Sequence, residues 1–110
     1  MTRTTLHIVG GDSRTRAEQA RVAFALGHHA EVYGDIEELL ARPPRSGIIL
    51  VEDEGSDPAG ELIERLGQHS IWLPVVFVSH EPEIERVVGA IKAGALHYLP
   101  LPIGMGTFAR

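Results

Sequence analysis

Two short runs decide most of what this chain can fold into. Ile48-Ile49-Leu50-Val51 and Val75-Val76-Phe77-Val78 are unbroken, apolar and rich in β-branched residues. Runs of this kind read as strands buried on both faces, the signature of a parallel sheet. Parallel strands need long crossover connections, most often helical. Three further runs, Leu6-His7-Ile8-Val9, Ala30-Glu31-Val32-Tyr33 and Leu96-His97-Tyr98-Leu99, bring the number of expected strands to five.

The stretches between the runs carry the helical pattern. After Asp12-Ser13, apolar residues fall at Ala17, Ala20 and Phe24, with Val22 and Leu26 one position aside, and Gly27 stops the helix. Ile36, Leu39 and Leu40 predict a short second helix before Arg42-Pro43-Pro44. Asp57-Pro58 reads as an N-cap followed by proline at the first helical position. Leu62, Ile63 and Leu66 then form one face, ended by Gly67. Pro82 opens a fourth helix, whose apolar positions Ile84, Val87, Val88, Ile91 and Ala95 are expected in the core, and Gly94 closes it.

The order βαβαβαβαβ predicts a three-layer α/β domain with helices on both faces of a parallel sheet. Right-handed crossovers favour the flavodoxin-like strand order 2-1-3-4-5, with its switch point between strands 1 and 3. Ligands in such folds bind beyond the carboxyl ends of those strands. Here the ends are Gly10-Gly11-Asp12 and Glu52-Asp53-Glu54, so the candidate site is located by topology alone. Only Ile103 to Arg110 follow Pro102, too few residues to complete a fifth helix. The 110 residues are expected to form a single domain, the N-terminal part of a longer regulator, or one whose open side a partner covers.

Charge and composition narrow the function classes. Ten basic residues against fifteen acidic ones leave a net charge of −5, which argues against direct nucleic-acid binding by this domain. No apolar run approaches the ~20 residues of a membrane span, and a cytoplasmic location is expected. The chain has no cysteine, which excludes disulfides, zinc–thiolate sites and cysteine catalysis.

The pattern resembles the receiver domains of two-component response regulators, over residues 6 to 103. The pieces that carry the resemblance are the first and third runs with the acidic turns after them, Leu73-Pro74-Val75-Val76-Phe77-Val78-Ser79, Ala90-Ile91-Lys92-Ala93-Gly94-Ala95, and Tyr98-Leu99-Pro100-Leu101-Pro102-Ile103. The nearest likeness is to receivers that precede helix-turn-helix output domains. The resemblance implies phosphoryl transfer from a histidine kinase to an aspartate after strand 3, with Mg²⁺ held by that aspartate and an acidic pair after strand 1. It also implies a lysine after strand 5, and a hydroxyl and an aromatic that rearrange when the phosphoryl group arrives.

Position by position, the chain departs from that pattern. The acidic pair falls on Gly10 and Gly11, the phosphoacceptor on Glu52 and the lysine on Leu101. Only the switch positions Ser79 and Tyr98 match. The one lysine of the chain is Lys92, in the fourth helical stretch. The expectation is therefore a pseudo-receiver: not an enzyme, without a cofactor, acting in signal transduction and transcription regulation through a protein partner or output domain. A homodimer through the helix 4–strand 5 region is implied, with His97, Arg86 and Glu83 as rim residues. A buried, unpaired Glu52 carboxylate would have a raised pKa, or would mimic the activated state.

Alternatives remain open at this point. Asp53 would be the phosphoacceptor, with Asp12 and Asp53 on Mg²⁺, if the loops shift by one residue. Against that, Asp12 reads as a helix cap, and Asp53, Glu54 and Asp57 as a solvated acidic loop. Gly10-Gly11 with Arg14 and Arg16 would cradle a small anion or nucleotide phosphate, although no phosphate-binding glycine motif is present. Of the six histidines, His28 and His29 read as turn residues, His69 as a helix-end residue, His80 as a loop residue, and His7 and His97 as strand residues. None has metal-ligand spacing. Ser79 and His80 with Glu52 lack a nucleophile elbow, which argues against a hydrolytic triad.

Overall fold

The computed structural model describes residues 4–55 and 58–102. Five strands and four helices alternate: β1 Thr5–Val9, α1 Ser13–Ala25, β2 His29–Tyr33, α2 Ile36–Ala41, β3 Ile48–Glu52, α3 Ala59–Gln68, β4 Val75–Ser79, α4 Ile84–Lys92 and β5 His97–Pro100. All strand pairs are parallel, in the order β2-β1-β3-β4-β5. This is the flavodoxin-like arrangement expected from the alternation. Asp57 and the residues after Pro102 lie outside the described residues, and with them the expected cap of α3 and the question of a fifth helix.

Strand parity builds two cores. Val9, Tyr33, Ile49, Val51, Val75 and Phe77 face α2, α3 and α4, meeting Leu39, Leu66 and Ala90. Leu6, Ile8, Leu50, Val76 and Val78 face the other side, where α1 contributes Ala23. The two unbroken runs supply residues to both cores, as central strands must.

Three helix details differ from the sequence reading. In α1 the buried residues are Gln19, Val22 and Ala23, while Phe24 is 80 % exposed. Small Ala23 lets α1 lie close to the sheet, and Phe24 points away. In α3, Pro58 occupies the N-cap and the helix starts at Ala59; it continues past Gly67 to Gln68, and the left-handed residue beyond it is Ser70 (φ 59°). Gly67 instead leaves room for the Trp72 ring, which would lie 2.9 Å from a Cβ there. In α4, Ile84 (81 % exposed), Val88 (44 %) and Ile91 (47 %) face outward, and only Ala90 is fully buried. At the α3–α4 contact Gly60 meets Ala93, so small residues line the buried side. Ile84, Val88 and Ile91 are therefore surface, whereas Val87 is half-buried and Ala95, just beyond the helix, lies in the core as expected.

Candidate functional site

The carboxyl ends of β1 and β3 meet where topology predicted. β1 runs into a turn whose two glycines both have positive φ, Gly10 at 83° and Gly11 at 70°. Such angles favour glycine because a Cβ crowds the backbone there. Gly10 N–H donates to Tyr33 O at 3.1 Å, fixing the turn to β2. Arg16, one turn into α1, reaches back to donate to the carbonyls of Gly10 (3.2 Å) and Gly11. Asp12 caps α1, its Oδ1 accepting from Thr15 N–H at 2.7 Å. That bond holds its carboxyl below the usual carboxylate range. The anion position at this helix terminus is thus taken by the chain's own aspartate, and Arg16 is turned toward carbonyl oxygens.

Glu52 ends β3 on the α1 side of the sheet, by the same parity as Leu50. Its carboxyl lies against Gly11: a Cβ on Gly11 would be 2.7 Å from Glu52 Oε1. That oxygen is buried and has no hydrogen-bond partner. Burial pushes the Glu52 carboxyl above its usual range; Glu54 and Asp12 push the same way, against His80 and Arg16. The pair that the resemblance reads as acidic is therefore two glycines, one of them filled by the neighbouring glutamate.

Asp53 faces the opposite side. Its backbone N–H donates to Val78 O at 2.7 Å, which carries it toward β4. Gly55 N–H donates to Oδ1 at 3.1 Å. Arg86 of α4 makes a two-pronged contact, Nη2 to Oδ1 at 2.6 Å and Nε to Oδ2 at 2.9 Å. Tyr98 of β5 donates its hydroxyl to Oδ2 at 2.5 Å. The Asp53 side chain is only 6 % exposed and that of Arg86 24 %. Burial works against the charged carboxylate, but the Arg86 and Tyr98 bonds outweigh it and hold Asp53 below its usual range. Tyr98 is pushed up to about 12 by burial first and by its bond to Asp53 second.

The remaining candidates separate cleanly. Ser79 is buried and its hydroxyl accepts from Glu81 N–H at 3.2 Å, which does not set up a serine nucleophile. Leu101 packs onto the α1-side core, its N–H on Ser79 O at 2.8 Å, and the peptide to Pro102 is cis. His80, Glu83 and His97 are exposed, whereas Arg86, expected at an interface rim, turns inward. The buried His7 ring bonds the Tyr33 hydroxyl (3.0 Å) and Ser46 O (2.8 Å), a structural role. Among the described residues, no three His, Asp or Glu side chains surround a common metal position.

The role of Arg86 at Asp53 is what the sequence reading missed. Arg86 lies one turn before Ala90, the residue of α4 that packs inside, a placement visible only in the fold.

The fold and part of the sequence have known counterparts. No protein-family model matches the chain. The transcriptional regulatory protein FixJ of Rhizobium meliloti (strain 1021) is 29 % identical over 105 residues, covering 93 % of this chain and 52 % of that protein. The chain thus spans about half the length of that curated relative. The crystal structure of FixJ-N superposes with a TM-score of 0.84 at 25 % identity, covering 99 % of this chain and 90 % of that one. A response regulator from Thermotoga maritima (TM-score 0.83, 16 % identity, 97 % and 92 % covered) and an orphan response regulator of H. pylori (0.76, 20 %, 97 % and 92 %) share the fold.

Proposed function

We propose that this chain, similar in sequence and fold to FixJ, is a receiver domain of response regulators that signals by protein contact, without aspartyl phosphorylation, within a regulator of transcription. The observation that carries this reading is the interlock of Glu52 with Gly11. The Glu52 carboxyl fills the space beside Gly11, 2.7 Å from where any side chain would begin. The residues do not fit Mg²⁺: Gly10 and Gly11 bring no side-chain oxygen and their carbonyls accept from Arg16, Asp12 is spent on the α1 cap, and both Asp53 oxygens are bonded to Arg86 or Tyr98. A hard cation needs several oxygens facing one point. This reading needs no enzymatic step and no cofactor. FixJ is a transcriptional regulatory protein, which supports transcription as the output.

The partner in this reading is a second copy of the chain, meeting α4 against α4. Ile84, Val88 and Ile91 form an exposed apolar stripe, with Glu85 in the first turn and Lys92 in the last. An antiparallel pair of such helices sets each Glu85 against the other copy's Lys92. The domain lies in the cytoplasm in this reading; no helix among the described residues is long and apolar enough to cross a membrane.

Intact mass after incubation with acetyl phosphate and Mg²⁺ tests the main claim. The expected spectrum is unchanged. An added phosphoryl group that is lost in Asp53→Asn overturns the reading and makes Asp53 the acceptor. Sedimentation of Val88→Glu against the native chain tests the α4 contact, with loss of the dimer expected.

A further inference from the structure

We infer that Asp53 is an internal latch: held by Arg86 and Tyr98, its carboxylate fixes the β5 tyrosine inward and sets which face of α4 is presented, with no added phosphoryl group. The inference goes beyond the proposed function and stands whether or not α4 meets a second copy.

Three elements converge on this one carboxylate. β3 delivers Asp53, which its own loop orients through the Gly55 N–H. β5 delivers Tyr98, paired in register with Phe77 and stacked on its ring at 6.2 Å and 21°. That stacking leaves the tyrosine hydroxyl aimed across β4 at Asp53 Oδ2. α4 delivers Arg86, whose planar guanidinium takes both oxygens at once, the geometry that makes such pairs specific.

In the resembling receivers, the hydroxyl after strand 4 and the aromatic in strand 5 respond to an arriving phosphoryl group. Here the Ser79 hydroxyl accepts from Glu81 N–H, and the Tyr98 hydroxyl is committed to Asp53. Both switch groups are already bonded within the chain.

The latch also explains the outward stripe of α4. Successive helix residues are about 100° apart. Ile84 and Val88 each lie two residues from Arg86, roughly 200° around the helix by that spacing, and Ile91 lies on their side. Drawing Arg86 onto Asp53 therefore turns the apolar stripe away from the sheet. A burial-driven helix would do the reverse, since the stripe holds its largest apolar side chains.

The test uses the only two tyrosines, Tyr33 and Tyr98, labelled as 3-fluorotyrosine and read by fluorine NMR. Tyr98→Phe assigns the signals, and Tyr33, in the opposite part of the sheet, reports the fold. In Asp53→Asn and Arg86→Met, the Tyr98 signal is expected to move toward its solvent-exposed position. Amide exchange over residues 84–92 is expected to quicken at least about tenfold as the local opening energy falls. An unmoved Tyr98 signal with exchange within about twofold of native, in a variant whose Tyr33 signal is intact, overturns the latch. Asp53→Asn keeps the side-chain shape, so it decides the matter if Arg86→Met loses the Tyr33 signal. A phosphoryl adduct in the mass experiment bears on the proposed function, whereas an unmoved Tyr98 bears on the latch.

Discussion

Across a single peptide bond the chain places two carboxyl groups in opposite surroundings. Glu52 faces the β1–α1 turn with a buried, unpartnered oxygen, and its pKa is raised. Asp53 faces α4 and β5, takes bonds from Arg86, Tyr98 and Gly55, and its pKa is lowered. The difference follows from strand parity: neighbouring residues leave a strand on opposite faces. On one face the helix contributes a cation; on the other the turn contributes glycine. Burial alone does not fix the behaviour of an acid, because partners decide whether its charge is tolerated.

The largest expected effect comes from erasing the Asp53 side of this contrast. Arg86→Met leaves a buried carboxylate without its cation and is expected to cost about 3–5 kcal/mol of stability. Urea unfolding with an unchanged m-value measures it. A loss below about 1 kcal/mol, the worth of an exposed pair, would equate the two acids.

An intermediate effect is expected on the Glu52 side. Gly11→Asp forces a side chain onto φ 70° and against the Glu52 carboxyl, with an expected cost of about 1–3 kcal/mol. Adding Glu52→Ala should return the share due to crowding and leave the share due to φ. Urea unfolding of the four proteins in this double-mutant cycle separates the two, and strict additivity would mean the residues do not touch.

The smallest effect is the most diagnostic. A raised folded-state pKa, as for Glu52, gives stability that is complete below the ordinary carboxylate range and lost as pH rises through the raised value. A lowered one, as for Asp53, gives stability present above the ordinary range and lost as pH falls through the lowered value. Melting temperature followed from about pH 2 to about pH 8 should therefore fall less steeply on its upper side in Glu52→Gln. In Asp53→Asn the acid-side loss should shrink instead. Parallel curves for all three proteins would remove the contrast.

The sheet was legible because its information is local. Ile48-Ile49-Leu50-Val51 and Val75-Val76-Phe77-Val78 have only one comfortable environment, and the strand order follows from chirality. The facing of the helices was not legible, because periodicity reports that a helix has an apolar stripe and not where the stripe points. Ile84, Val88 and Ile91 read as core and Phe24 as part of the α1 apolar pattern, and all four lie on the surface. In each case small residues, Ala23 or Ala90, make the close contact instead. The positions of Gly10, Gly11, Glu52 and Leu101 were countable along the chain. The Asp53–Arg86 pair joins residues 33 apart, and nothing local in the sequence announces it.

The mutual fit of Gly11 and Glu52 also bears on redesign. A carboxylate placed at position 11 meets the Glu52 carboxyl already there, and an aspartate placed at position 52 faces two glycines that bring no acidic side chain. A cation site at this end of the sheet therefore calls for changes at both positions together.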